Sequence, residues 1–333
     1  MRKSVLAAAA AAVAVVTLAA CGTSSTQTSD KSSAPGSASA GQQERTTTLT
    51  VGLVPVVNVA PLYLGIKQGF FKAEGLAIKP VISQTFTANV AAVVNGTQQI
   101  GFGATVPLLL SVNNGVPLRI LANSDVTGKP PNGDNSGVFV ANGSGITSVK
   151  GLEGKTIAIN ALDNVQDTAI KSAMLNAGAD PSRVKFLEVP LPAMVATLKA
   201  HRVDAIALGE PFVTAAEAAG FTMLIRTYEA GFPIGTPIAS YFSSQSWAQK
   251  NPKLAAAFSA AMDKSTAYAI ANPDAARAIM SEYTQIPSET LKKVILGTFS
   301  SKAEPGPIED LAKLMVKVGT MKSVPDLTPV FGQ

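Results

Sequence analysis

From Thr48 to Phe242 the chain repeats one unit: a short apolar run, a turn, then a stretch with helical spacing of its apolar residues. Such alternation calls for an α/β fold, with sheets covered by helices and largely parallel strands. Strands are expected at Thr48–Val54, Ala77–Ile82, Gln99–Phe102, Leu118–Ala122, Gly137–Ala141, Thr156–Ile159, Val184–Val189, Val203–Leu208, Thr222–Ile225 and Ile238–Phe242. Helices are expected between them, clearest where Val165, Ala169, Ile170, Ala173, Met174 and Ala177 share one face. Val126 to Ser136 (VTGKPPNGDNS) is a Pro/Gly/Asn loop that separates two such series. From Trp247 onward the chain reads as mostly helical, with Pro252, Pro273 and Pro287 at helix starts.

The N-terminus reads differently. Arg2-Lys3 precedes an apolar run from Val5 to Val16, then Leu18-Ala19-Ala20 and Cys21, the one cysteine of the chain. A positive start, a short apolar run and small residues make a secretory signal over residues 1–20. The run is too short to span a bilayer, which needs about 20 residues. Cysteine directly after Leu-Ala-Ala resembles the lipobox of bacterial lipoproteins, which implies an acylated Cys21 at the start of the mature chain. An ordinary cleaved signal with an incidental cysteine is the alternative. Residues 21–45 are rich in Ser, Thr, Gly, Ala and Gln, so they read as a flexible tether. Folded structure is left 333 − 45 = 288 residues, enough for one large or two medium domains. The location expected is outside the cytoplasmic membrane, with lipid on Cys21 as the one membrane contact.

Charge excludes one class of partner. The chain carries 27 Lys and Arg against 22 Asp and Glu; without Arg2 and Lys3 the excess is 25 − 22 = 3. These charges are scattered and form no basic stripe, so no nucleic-acid partner is expected. With Cys21 at the anchor, no thiol remains for a disulfide or a thiolate metal site.

Two segments share a plan. Val94 to Gly103 and Lys199 to Gly209 each close a helix, enter a strand, and lead to a helix opening near Pro107 or Pro211. Pro61-Leu62-Tyr63-Leu64-Gly65, followed by Gln68 to Leu76 (QGFFKAEGL), then resembles a signature of one group of ABC-importer solute-binding proteins. That NMT1-like group serves aliphatic sulfonates, taurine, nitrate and thiamine-precursor pyrimidines. Asn95 to Gly103, Leu152 to Ala158 and Val203 to Pro211 match its further motifs in order. The resemblance implies a two-lobed periplasmic-binding-protein type II fold, with the ligand between lobes joined by two crossing strands. The first lobe would be residues 46–136 and 244–333, the second 143–236, and the crossings 137–142 and 237–243. It also implies a monomer that passes a small ligand to permease and ATPase subunits.

In open α/β sheets ligands bind beyond the carboxyl ends of strands, where helix N-termini offer free amides. The positions expected there are Val56, Asn58, Thr85, Phe86, Thr87, Thr105, Asn160, Asp163, Glu210 and Phe212. Each has a structural reading as well. Asn58, Thr87, Thr105 and Glu210 suit helix caps, Asp163 with Gln166 resembles a capping box, and Phe86 and Phe212 suit a core. Enzyme readings are poor. His201 is the one histidine, no G-x-S-x-G elbow or Walker A sequence occurs, and Val106 replaces the third glycine after Gly101-Phe102-Gly103. No catalytic residue, cofactor or metal is therefore expected. An extracytoplasmic enzyme on this fold is the remaining alternative, although the cytoplasmic pyrimidine-synthesis relatives carry a cysteine- and histidine-bearing motif that is absent here. The ligand stays open between the sulfonate, taurine and nitrate class and a nitrogen heterocycle or aromatic acid.

Overall fold

Strand β1 (Thr47–Leu53) alternates: Leu49, Val51 and Leu53 share one face and are all buried, while Thr48 and Thr50 on the other face are exposed and half-buried. The computed structural model describes residues 46–83, 85–131 and 133–332; the signal, the tether and Cys21 lie outside them. After β1 come β2 (Leu76–Ile82), β3 (Ile100–Ala104), β4 (Leu118–Val126), β5 (Ser136–Val140) and β6 (Thr156–Ile159). They are followed by β7 (Lys185–Glu188), β8 (Ala205–Gly209), β9 (Thr222–Ile225), β10 (Pro237–Ser244) and β11 (Thr298–Phe299). Two sheets result, one ordered β11-β4-β10-β3-β1-β2 and one ordered β7-β6-β8-β5-β9.

The sheets are mixed, which corrects the expectation of largely parallel strands. β1 runs parallel to β2 and β3, and β6 parallel to β7 and β8, each pair joined through a helix as a parallel connection requires. β10 runs antiparallel to β3 and β4, and β5 antiparallel to β8 and β9. These two strands arrive from the other sheet rather than from a local crossover helix, so nothing in their neighbourhood imposes the parallel direction.

Residues 137–142 and 237–243, expected as the crossings, mostly lie in β5 and β10, each within a single sheet. The chain passes between the sheets at 127–135 and 232–236. These two passages bond to each other: Thr127 N–H donates to the Thr236 carbonyl at 2.9 Å, and Gly235 N–H to the Thr127 carbonyl at 2.7 Å.

Beside the passages, the two halves share a buried cluster. Val165, Ala169 and Tyr228 from the five-stranded side meet Val106, Leu109 and Phe242 from the six-stranded side. Elsewhere each sheet keeps its own core, with Leu53 and Ile100 in one and Ile157 and Ala205 in the other. Truncating a fully buried leucine or isoleucine here to alanine would cost about 2–5 kcal/mol. No helix among the described residues is long and apolar enough to cross a membrane.

Candidate ligand cleft

The carboxyl ends of β1, β3, β6 and β8 open onto a cleft of about 430 Å³ between the two sheets. Two helices begin at its edge. Phe86–Val94 is capped by Thr85, whose hydroxyl accepts from Ala88 N–H at 3.3 Å. Val165–Asn176 starts with a capping box, in which the Asn164 side chain accepts from the Asp167 backbone N–H and the Asp167 side chain accepts from Asn164 N–H at 2.8 Å; Asn164 Oδ1 also accepts from Val165 N–H at 2.7 Å. Both helix N-termini bring partial positive charge to the cleft.

Most of the wall is apolar, including Val54, Phe102, Ala104 and Leu191. Phe86 forms part of it, 5.6 Å from the Phe242 ring between centroids. It sits there because residue 103 is glycine: a Cβ at Gly103 would fall 1.7 Å from Phe86 Cδ2. A second close approach shapes the opposite wall. A Cβ at Gly231 would fall 2.1 Å from the Ala169 carbonyl oxygen, so glycine lets helix Thr227–Gly231 lie against helix Val165–Asn176. That contact brings Tyr228 over Gln166, whose Nε2 donates to the Tyr228 hydroxyl at 3.3 Å. Gln166 Oε1 is buried with no partner among the described residues.

Behind the cleft lies a buried carboxyl group. Asp125 Oδ2 accepts from Asn58 Nδ2 at 2.6 Å and from Asn135 Nδ2 at 3.4 Å, while its Oδ1 has no partner. Burial pushes the Asp125 carboxyl up to about 7; the amide hydrogen bonds from Asn58 and Asn135 oppose that rise, and the nearby Asp134 adds to it. Asn58 and Asn135 both line the cleft in front of it.

The expected site residues divide. Val56, Asn58, Thr85, Phe86, Thr87, Asn160 and Glu210 line the cleft. Thr105, Asp163 and Phe212 do not. At the end of β3 it is Ala104 that faces the cleft, and the buried Thr105 hydroxyl lies 3.2 Å from that of Ser240. Asp163 is exposed, with a positive φ of 51°, and the capping box begins one residue later at Asn164 with Asp167, not Gln166, as its acidic member. Phe212 packs into the core of the five-stranded sheet.

Glu210 is on the wall, but its carboxylate is occupied. It accepts from Thr214 N–H at 3.0 Å, the Thr214 hydroxyl at 2.7 Å and Ile295 N–H at 3.1 Å. Burial raises its pKa, opposed by those same hydrogen bonds. It thus opens one helix and pins a loop from the far sheet. Asn135, Asn164, Gln166, Glu188 and Tyr228 complete the polar lining; of these the sequence singled out only Gln166, and that as a cap partner rather than a cleft residue. The described lining contains no lysine, arginine or histidine. Such a surface suits a small molecule with an apolar body and a few hydrogen-bonding groups.

A family profile described as NMT1/THI5 like matches residues 56–276. The nitrate/nitrite binding protein NrtA of Nostoc sp. is 25% identical over 237 residues, covering 64% of this chain and 51% of that protein. The taurine-binding periplasmic protein of Escherichia coli is 26% identical over 186 residues, covering 56% of this chain and 55% of its own length. The chain therefore spans about half the length of these two relatives. Among solved structures, the ligand-binding component of an ABC-type import system from Staphylococcus aureus superposes with a TM-score of 0.73 at 13% identity, covering 85% of this chain and 95% of that one. The likeness establishes the periplasmic-binding-protein fold. The chain belongs to the NMT1/THI5-like family.

Proposed function

We propose that this NMT1/THI5-like protein is the extracytoplasmic solute-binding component of an ABC importer. It would be held at the membrane by lipid on Cys21, take a small nutrient into the cleft, and hand it to the permease. The observation that supports this most is the position of the cleft. Its walls come from the strand ends of two separate sheets, so a ligand contacts both halves at once. Closure would then occur about the passages 127–135 and 232–236, with the two halves acting as the expected lobes. Binding without turnover is favoured as well. The titratable side chains on the described wall are Glu188, Glu210 and Tyr228, and the Glu210 carboxylate is already consumed by Thr214 and Ile295.

The relatives named for nitrate and taurine argue for a small ligand of that class, together with sulfonates. The lining favours a second ligand reading, a nitrogen heterocycle or aromatic acid, because the described lining holds no cationic side chain. A thermal-shift screen across nitrate, taurine, sulfonates, pyrimidines and aromatic acids tests the function. A ligand present at 100 times its dissociation constant adds about 2.7 kcal/mol of stability. Stabilisation by one class, with the compound recovered unchanged, is the expected result. Chemical conversion of the compound would replace the binding reading with an enzymatic one.

A further inference from the structure

A second concavity, of about 500 Å³, shares no lining residue with the cleft. It lies between the end of helix Pro252–Ala271, the start of helix Pro273–Ala278 and the segment 293–299, which ends in β11. Its charge differs from that of the cleft. Arg277 and Lys293 are its titratable side chains, and the described lining holds no Asp or Glu. Ile270, Leu296 and Phe299 supply an apolar part. A concavity lined by one sign of charge beside apolar walls concentrates counter-ions.

Arg277 is held in place there. Its Nε donates to the Val294 carbonyl at 2.9 Å, which ties the guanidinium to the wall. Nη1 donates to Asp274 at 3.0 Å, but the Asp274 side chain is fully exposed, so that pair contributes little and costs little to release. The guanidinium's other N–H groups have no acceptor among the described residues. Lys293 is exposed and makes no ion pair among the described residues. An arginine fork and a lysine charge on one wall suit a carboxylate or phosphate group.

The segment that walls this pocket also touches the passages between the sheets. Ile295 N–H donates to Glu210 Oε1, from the other half, at 3.1 Å. Thr298 lies against the passage 127–135: a Cβ at Gly128 would fall 1.8 Å from Thr298 Oγ1. A Cβ at Gly297 would likewise come 2.8 Å from Asn135 Nδ2. Whatever steadies 293–299 therefore steadies the contact between the halves.

We propose that this pocket is a second ligand site, for a small organic anion with a carboxylate or phosphate head, and that its occupant strengthens the Ile295–Glu210 latch between the halves. The site goes beyond the solute-binding reading and stands on its own residues; only the effect of the latch on closure draws on that reading.

The test is calorimetric titration of the full chain with citrate and with glycerol 3-phosphate at constant ionic strength, with glycerol as the uncharged control. Saturable binding of at least one of the anions, and none of glycerol, is expected. Lys293→Glu should weaken that anion about tenfold or more, because a charged contact is lost and a like charge takes its place. Ile270→Glu, at the exposed lip, should weaken it in the same sense, and Asp274→Asn should tighten it by freeing Arg277. Gly209→Trp, at the end of β8 on the cleft wall, should leave it unchanged. Amide exchange at Ile295 should slow when the anion is bound to the wild type. No saturable binding of either anion would overturn the site and leave the solute-binding reading intact. Equal affinity in the wild type, Lys293→Glu and Ile270→Glu would overturn it as well. Loss of binding in Gly209→Trp would move the anion to the cleft, with the same consequence. Unchanged exchange at Ile295 with the anion bound would overturn the latch.

Discussion

Replacing Asp125 with asparagine should make the protein's stability less sensitive to pH, in a direction that the burial of this carboxyl dictates. In the folded chain its pKa is raised from 3.8 to about 7, chiefly by desolvation. Between those values the folded state holds a proton that the unfolded chain releases, so stability falls as pH rises through this window and levels off above about 7. Each unit of difference is worth 1.36 kcal/mol, so the full difference is roughly 4 kcal/mol. About 3 kcal/mol of it lies between pH 5 and pH 8. Asparagine does not titrate. The stability of Asp125→Asn relative to the wild type should therefore improve by about 3 kcal/mol from pH 5 to pH 8, whatever its offset at pH 5. For a chain of this size that is a shift of roughly 5 °C in the difference between the two melting temperatures. Asp167 and Glu210 also have raised values, but both proteins share them and they cancel in the comparison. Calorimetric melting of the two proteins at pH 5, 6, 7 and 8 is the assay. A difference that stays constant across the range would refute the claim that burial holds this carboxyl high.

Three further outcomes are expected. Glu210→Ala leaves Thr214 N–H, its hydroxyl and Ile295 N–H unpaired in a buried place, and should cost about 2–4 kcal/mol in denaturant unfolding; a loss under 0.5 kcal/mol would show that these bonds hold nothing in place. Cys21→Ser should release the protein from membranes or leave it unprocessed, and a mature-length variant that still fractionates with membranes contradicts the lipid anchor. Small-angle scattering should show a smaller radius of gyration once a stabilising ligand is added, as closure about a few hinge residues requires; an unchanged radius would argue against hinge closure.

Local signals carried far in this chain, and non-local ones did not. β6 and β9 fall at their expected residues because each is a short apolar run bounded by a glycine turn, Gly154 and Gly220. The direction of β5 and β10 was hidden, since it depends on the chain arriving from the other sheet. Likewise, Val56, Asn58, Thr85, Phe86, Thr87 and Asn160 could be placed at the cleft because strand ends and helix starts are visible in periodicity. Thr105 could not be excluded, because whether residue 104 or 105 turns inward depends on Ser240, 135 positions away. The Asn58–Asp125 and Gln166–Tyr228 pairs span 67 and 62 residues, and no spacing rule links them. Glu210 was legible as a cap, but its bond to Ile295 from the other sheet was not.

The claim on which the rest depends is that the cleft between the sheets is where a small molecule resides. Gly209 lines it at the end of β8, and a Cβ built there meets no atom within 4 Å. Gly209→Trp would therefore fill the cleft from a position that tolerates a side chain. Native mass spectrometry of wild-type and Gly209→Trp protein, each incubated with the compound that stabilises the wild type, gives the direct answer. One bound molecule in the wild type and none in a variant with an unchanged melting temperature is the predicted result. A variant that keeps the bound molecule at full occupancy would place the site elsewhere.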